Sequence, residues 1–297
     1  MSHTLEALQQ KIKSGNDLGS IVSTMKSLAA TSVIQYEQAV EALSMYYSTI
    51  EMGLSVVLKD IQTTRDLSQS KNKNTLVIIF GSDHSLVGRF NEQIVNYALY
   101  DLPHLEVAKQ EHHVFYFTVG EQIMNRLYSN GITADHHVEL PSSVMAITDA
   151  VLSVLSEVEV YQNKHHVEDV LLVFNQPQKG ASYQPSVQVL FPVDLNMLSK
   201  KGKKWKSNSI PTYRVDAHQL LSSLLQQYFF IILYQTFAYS LAAENSARLI
   251  AMQQAEKNIE ELLSDLNIQY QQARQTEITD ELLDIIAGFK SLRKDDV

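Results

Sequence analysis

The sequence predicts a mixed α/β fold in which two long terminal helices form an antiparallel coiled coil and an α/β domain is inserted between them. Two observations point to the helices: both ends of the chain are almost free of proline, and both carry apolar residues at heptad spacing. A third points to the insertion, because short apolar runs alternate with helical stretches in the middle. We expect a coiled-coil helix over residues 1–65, an α/β domain over 74–210 and a second coiled-coil helix over 211–297.

The N-terminal helix is predicted by a stripe of positions spaced alternately four and three residues apart from Leu8 to Val57. Twelve of these fifteen positions are apolar, and the exceptions are Gly15, Gly19 and Lys26. A stripe that persists over so many turns indicates a helix that packs along its length against another helix.

The C-terminal helix repeats this spacing, and no proline follows Pro211. The predicted stripe consists of Tyr234, Ala238, Leu241, Met252, Ala255, Ile259, Leu262 and Leu266, with Asn245 and Arg248 as polar interruptions. Because the two helices lie at opposite ends of the chain, we expect them to pair antiparallel. At 1.5 Å per residue, sixty paired residues would extend about 90 Å.

The middle segment predicts a Rossmann-like α/β domain. Thr75–Phe80, Val114–Thr118 and Val170–Phe174 are short β-branched and aromatic runs without alternation, as in strands that are covered on both faces. Helical stretches are expected over residues 91–100, 121–129 and 144–162, and an edge strand or hairpin over 186–193. This alternation is typical of a parallel sheet.

Composition excludes several classes of function. The chain has 297 residues, no cysteine and a formal net charge of −9. The missing thiols exclude disulfides, thiolate metal sites and a cysteine nucleophile, and the acidic balance argues against nucleic acid as a partner. The first fifteen residues lack the apolar segment of a signal peptide.

The stretch from Gln219 to Ala243 contains no charged residue and has the run FFIILY at its centre. Eight serine, threonine and glutamine residues occur in it, and the helical stripe continues beyond it into a charged segment. We therefore expect a helix buried between its partner helix and the α/β domain rather than a transmembrane span.

Three further features are candidate sites. The loop Gly81–Arg89 follows the first strand, but its glycines match neither GxGxxG nor GxxxxGK[ST]. This spacing favours a structural loop that contacts a partner over a nucleotide-binding site. Histidine doublets at 112–113, 136–137 and 165–166 lie at predicted element ends, where exposed histidines are common, and lack zinc-ligand spacing. The basic segment Lys200–Lys206 could touch anionic lipid or an acidic partner, although a solvated loop is favoured.

Four motifs resemble the gamma subunit of F-type ATP synthases. Ser246–Asn258 looks like the family's "ARMxAMxxATKN", and Tyr270–Gly288 is similar to "YNxARQxxITxEixEIvgG". Thr24–Ala30 resembles "AMKMVAA", and Ser82–Gly88 stands where the family has "SDRGLCGG". The N-terminal helix is less basic than is usual in the family, and the loop lacks the Arg-Gly pair. In these two features the sequence resembles the alternate branch of the family, which includes sodium-translocating N-ATPases.

The resemblance implies a non-catalytic central rotor stalk that couples ion flow through a membrane ring to conformational cycling of catalytic subunits. It implies no cofactor, and as partners it implies the alpha and beta subunits of the hexamer, an epsilon-type small stalk subunit and the membrane c-ring. It also implies a peripheral location at the cytoplasmic face of the cell membrane. From the residues alone, a coiled-coil scaffold and a small-molecule-binding α/β protein with a pocket near Asp83 stay open.

The resemblance also assigns contact residues. Arg274 and Gln275, with Met25 and Lys26 on the other helix, match the contact by which the stalk engages a catalytic subunit. The resemblance also implies an apolar tip enclosed by the sleeve that the hexamer forms around the stalk. This tip would consist of Leu282, Leu283, Ile285, Ile286 and Phe289. Ser82, Asp83 and His84 would contact the ring or the small stalk subunit.

Overall fold

The computed structural model describes residues 2–61, 74–102, 113–178, 182–195, 198 and 211–292, with side chains described from Leu5 to Ala287 within those ranges. These residues form two compact units. The first unit comprises Met1–Leu28 and Leu249–Val297, and the second comprises Ala29–Arg248. The predicted basic segment 200–206 lies outside the described residues.

Helix α1 runs from Ser2 to Asp60, as the N-terminal stripe predicts. All fifteen stripe positions from Leu8 to Val57 are buried or half-buried, whereas apolar residues off the stripe, such as Leu18 and Leu28, are more than half exposed. The predicted face of the helix is therefore confirmed.

Helix α5 runs from Ala217 to Leu292 and confirms the second long helix. The predicted stripe is wrong at Leu262, because this side chain is 52% exposed. Leu263 takes its place and faces Gly15 of α1. A straight helix has 3.6 residues per turn and drifts by about 20° per heptad, so the inward position moves on by one residue at this point.

The second unit contains one five-stranded sheet with the order β3-β2-β1-β4-β5. Neighbours among the first four strands are parallel, and β5 is an antiparallel edge strand. The strands are β1 (Asn74–Phe80), β2 (Val114–Val119), β3 (His136–Val138), β4 (Val167–Pro177) and β5 (Tyr183–Phe191). The predicted α/β arrangement is confirmed, and β3 is an addition that the sequence pattern does not indicate.

Three shorter helices accompany the sheet. They are α2 (Phe90–Asn96), α3 (Glu121–Ser129) and α4 (Ile147–His165). A π-helical turn over Tyr97–Asp101 extends α2, and a 3-10 turn over Val144–Ala146 precedes α4. Together these elements match the three helical stretches expected from the sequence.

The uncharged stretch of α5 lies in the main core of the second unit. Ile232, Leu233 and Phe237 are at most 1% exposed and pack with the sheet face that carries Phe80. The Phe80 and Phe237 rings meet edge to face, with centroids 4.9 Å apart. No helix in the described part of the chain is long and apolar enough to cross a membrane.

Candidate partner-binding surfaces

Within the first unit, two glycines of the predicted stripe on α1 face α5. A Cβ atom at Gly15 would lie 2.7 Å from Cδ2 of Leu263, and one at Gly19 would lie 3.6 Å from Cγ2 of Ile259. Gly15 therefore occupies a position that a larger side chain cannot fill without moving Leu263, whereas a Cβ atom at Gly19 would make an ordinary van der Waals contact. The two pairs also fix an antiparallel arrangement, because the later residue of α1 faces the earlier residue of α5.

Lys26, the remaining exception in the α1 stripe, is held by an ion pair across the two helices. Its Nζ donates to Oε1 of Glu256 at 2.7 Å and also contacts Oε2, and both side chains are about 30% exposed. Its neighbour Met25 is half-buried. The ammonium group of Lys26 thus already has a partner within the chain, which the sequence motif alone does not indicate.

Arg274 and Gln275 lie on the same unit, and both are exposed. Within the described part of the chain, the Arg274 guanidinium has no ion pair, and the side chain of Gln275 has no hydrogen bond. The backbone carbonyl of Gln275 accepts a hydrogen bond from Oγ1 of Thr279 at 2.8 Å, as in an ordinary helix. Of the four predicted contact residues, these two therefore present free polar groups to solvent.

The end of α5 is exposed on every side. The register set by Gly15 with Leu263 and by Gly19 with Ile259 places Ser2, the first residue of α1, opposite Thr276. Residues 281–287 lie beyond that point, and all seven are exposed. Their aliphatic members are about half exposed or more, namely Leu282, Leu283, Ile285 and Ile286. The side chain of Phe289, the fifth predicted tip residue, lies outside the described residues.

The loop after β1 is held in place by its own polar side chains. Ser82 is fully buried, its Oγ donates to the carbonyl of His84 at 2.8 Å, and it accepts from Nδ2 of Asn91 at 2.8 Å. Because Ser82 is buried in this way, its side chain offers no surface to a partner. The burial of Ser82 therefore does not support the predicted contact at this residue. His84, in contrast, is exposed and accessible to a partner.

Asp83 joins the loop to two other segments of the second unit. Its Oδ1 accepts from the backbone N–H of Glu121, at the start of α3, at 3.0 Å, and its Oδ2 accepts from the N–H of Leu140 at 3.3 Å. A carboxylate in this position satisfies a helix-terminal donor and opposes the positive end of the helix dipole. Each oxygen accepts one backbone hydrogen bond, so Asp83 caps α3 and ties the loop to Leu140.

The carboxyl edge of the sheet is closely packed next to this loop. A Cβ atom at Gly120, where φ is +100°, would lie 2.9 Å from the backbone of Ser82, and one at Gly81 would lie 2.0 Å from Ile123. Glycine is required at Gly120 both by this contact and by its backbone conformation. The small-molecule alternative needs convergent free polar groups near Asp83, and these contacts do not provide them.

The described histidines of the first and last doublets are at element ends, as expected, whereas the middle doublet forms most of β3. His136 and His137 are half-buried, and Nδ1 of His137 lies 3.1 Å from Oγ1 of Thr118. His113 packs edge to face on Phe115 with ring centroids 4.7 Å apart, and the ring of His165 lies tilted against Phe115 at 4.9 Å. His112 lies outside the described residues. Among the described residues, no three His, Asp or Glu side chains are grouped to hold a metal ion.

Comparison with known proteins identifies the architecture. The family model described as ATP synthase matches residues 4–292. The ATP synthase gamma chain of Ehrlichia canis is 28% identical over 290 residues, covering 97% of this chain and 99% of that protein. The gamma chain of Ruminiclostridium cellulolyticum is 26% identical, covering 98% and 100%.

A solved structure shows the same fold at low sequence identity. The chain matches part of the rotor of Euglena gracilis mitochondrial ATP synthase in rotational state 1, with a TM-score of 0.62, 15% identity, and coverage of 94% of this chain and 100% of that one. The paired terminal helices and inserted sheet are therefore shared with that protein. Since the family model also spans almost the whole sequence, and the relatives match over nearly their full lengths, this chain belongs to the ATP synthase family as a gamma chain, its non-catalytic central stalk subunit.

Proposed function

We propose that this chain turns as the rotor shaft of an F-type ATP synthase or ATPase and transmits torque between a membrane ring and the catalytic subunits. The observation that carries this proposal is the end of α5, where residues 281–287 are exposed beyond the start of α1. Exposed aliphatic side chains in such number are typical of a surface that another protein covers. A closely fitting apolar sleeve would cover them while allowing rotation.

The alpha and beta subunits of the catalytic hexamer are the partners proposed for the first unit. Each orientation of an asymmetric shaft would contact the three catalytic sites differently and so favour a different conformation at each. A sleeve that met the tip through many fixed ion pairs would deepen particular angular positions. An apolar tip would avoid this, because hydrophobic contact is non-directional. Its proposed members are Leu282, Leu283, Ile285, Ile286 and Phe289.

Arg274 and Gln275 are the proposed contact with a catalytic subunit. An exposed guanidinium without a partner in the described part of the chain is free to form a paired hydrogen bond with a carboxylate. Met25 and Lys26 are proposed to line the same contact from α1. Because Lys26 is already paired with Glu256, its contribution would be indirect, through the position of that pair.

The second unit is proposed to contact the membrane c-ring and an epsilon-type small stalk subunit. Its exposed loop residue His84 is the contact that the structure leaves available, with Asp83 holding the loop in shape. The chain would then lie peripherally at the cytoplasmic face of the cell membrane. The coupling ion, proton or sodium, is selected in the membrane subunits.

Isolation of the native assembly tests this function. A tag placed after Val297 should co-purify catalytic subunits that carry GxxxxGK[ST] loops, together with ring subunits. A bead attached to a single cysteine in the second unit should rotate when ATP is added to the immobilised complex. Since the chain contains no cysteine of its own, the attachment site is unambiguous. Recovery of the chain without nucleotide-binding partners, or a complex in which the bead stays still during ATP hydrolysis, would disprove the proposal.

A further inference from the structure

A carboxylate inside the second unit lacks one of the partners that a buried charge requires. Glu244, on α5, is 6% exposed. Its Oε1 accepts from Nη2 of Arg248 at 2.7 Å, but its Oε2 has no hydrogen-bond partner among the described residues. Ser240, one helical turn earlier on the same face, is fully buried, and its Oγ likewise has no partner there. Two polar atoms without partners thus lie in one buried region.

Glu244 lies on α5 between two residues of an apolar cluster. Ala243 and Ala247 pack against Val87 and Phe90 from the loop and helix that follow β1. An ionised carboxylate oxygen without a hydrogen bond is costly in such an environment, whereas a protonated one is neutral and becomes a donor. The geometry therefore favours proton uptake by this group.

The charged and titratable groups around Glu244 come from three elements. Arg248 lies on its own helix, Asp83 and His84 lie on the loop after β1, and Tyr36 lies on α1. Burial raises the pKa of Glu244 above its ordinary value of 4.5, and the Asp83 carboxylate acts in the same direction. Arg248 and, more weakly, His84 oppose that rise in pKa.

Arg248 is placed to respond to the charge of Glu244. Its side chain is largely but not fully buried, with 13% exposed. Besides the bond to Glu244, it donates from Nη1 to Oδ1 of Asn245 at 3.3 Å, which is a longer contact to a neutral group. Once Glu244 is neutral, a guanidinium held only by that contact gains by turning outward to water, because a buried cation without a counter-ion is unfavourable.

We propose that Glu244 is a proton switch: in its ionised form it holds the Arg248 guanidinium on the helix, and in its neutral form it releases that guanidinium to solvent or to an acidic group of a partner. The proton comes from bulk water and is bound by the carboxylate, so no other reactant is needed. This inference concerns the chain alone and does not depend on the proposed rotation.

Chemical modification of arginine tests the release directly. The purified full-length chain is treated with phenylglyoxal, and the modification of Arg248 is divided by that of exposed Arg274 in the same sample, measured by peptide mass spectrometry. Glu244→Gln copies the neutral side chain, so the ratio should rise roughly ten- to a hundredfold over wild type at a pH where wild-type Glu244 is ionised, as expected when a hydrogen bond between charged groups is lost. Glu256→Gln, which neutralises another carboxylate on α5, should leave the ratio unchanged.

The pH dependence of stability gives a second readout with a defined sign. A carboxyl group whose pKa is raised on folding stabilises the protein below its unfolded pKa, and this contribution is lost as the pH rises through the folded pKa. Between those two values, the unfolding constant of wild type relative to Glu244→Gln should increase about tenfold per pH unit. Urea titrations of both proteins at several pH values measure this ratio.

The outcomes separate the switch from a permanently ionised carboxylate whose free oxygen binds a buried water. If the free energy of unfolding depends on pH in the same way for wild type and Glu244→Gln, and the Arg248 modification ratios are equal, then the carboxylate is permanently ionised and the proposal is overturned. If Glu244→Gln fails to fold, infrared spectroscopy of the wild-type chain replaces it. The carbonyl band of a protonated carboxylic acid should then persist above the pH at which exposed glutamates have ionised, and its absence there would refute the switch.

Discussion

Replacement of Arg274 by alanine separates a role in partner contact from a role in folding. Arg274 is exposed on α5, and it has no ion pair with another described residue. Alanine is at least as good a helix former as arginine. The free energy of unfolding of the isolated chain should therefore change by no more than about 0.5 kcal/mol.

The expected loss in the assembled complex is larger. A hydrogen bond to a charged group contributes about 1.5–3 kcal/mol, which corresponds to roughly ten- to a hundredfold in an equilibrium. If Arg274 bonds a catalytic subunit at one angle of the cycle, Arg274→Ala removes that amount from the orientation in which the bond forms. ATP hydrolysis coupled to rotation should slow, while thermal stability of the chain stays near the wild-type value.

The assay compares reconstituted complexes at equal subunit content, and it measures ATP hydrolysis together with ion pumping. Lys257→Ala is the matched control, because Lys257 is an exposed cation on the same helix whose nearest carboxylate, that of Glu261, is 3.8 Å away. Gln275→Ala should act in the same direction as Arg274→Ala but more weakly, since a neutral amide is the poorer hydrogen-bond partner. Normal hydrolysis and pumping with Arg274→Ala would show that this arginine is only a solvated helix charge.

Three further predictions concern the fold. Phe237→Ala, which removes a fully buried ring packed on Phe80, should lower the free energy of unfolding by about 3–5 kcal/mol in urea titrations, whereas exposed Leu282→Ala should change it by no more than about 0.5 kcal/mol. Gly19→Cys combined with Ile259→Cys should form an intramolecular disulfide on oxidation, and Gly15→Leu should reduce its yield by displacing Leu263; crosslinks only between molecules would refute the antiparallel pairing. Asp83→Asn should cost about 1–3 kcal/mol by removing one acceptor from a backbone N–H, and faster hydrogen exchange at Glu121 or Leu140 would identify it.

The terminal helices could be predicted because their signal is local. Helix geometry fixes which residues share a face, so the stripe from Leu8 to Val57 identifies the buried side of α1 without knowledge of its partner. The choice between Leu262 and Leu263 on α5 is different, because both are leucines on adjacent faces. That choice depends on where Gly15 leaves room on the other helix.

Features that depend on distant segments could not be predicted in the same way. Strand β3 has only three residues and is defined by parallel pairing with Phe117–Val119 of β2. The role of Asp83 as a cap depends on backbone donors at Glu121 and Leu140, which are far away in the sequence. Glu244 reads in the sequence as an ordinary helical carboxylate, and only its burial against the loop after β1 shows that one oxygen lacks a partner.

The distribution of exposed apolar residues argues that the first unit is incomplete without a partner. In the second unit, the apolar side chains of α5 around Phe237 pack against the sheet. This packing explains why α5 contains a long uncharged stretch although it is not apolar enough to cross a membrane. In the first unit, Leu18, Ile21 and Leu28 on α1 and the aliphatic residues of 281–287 on α5 have no such cover within the unit. Their exposure would favour aggregation of an isolated protein. Enclosure of this surface by the proposed catalytic hexamer would remove that cost, and the contacts proposed for Arg274 and Gln275 would add directional hydrogen bonds to it.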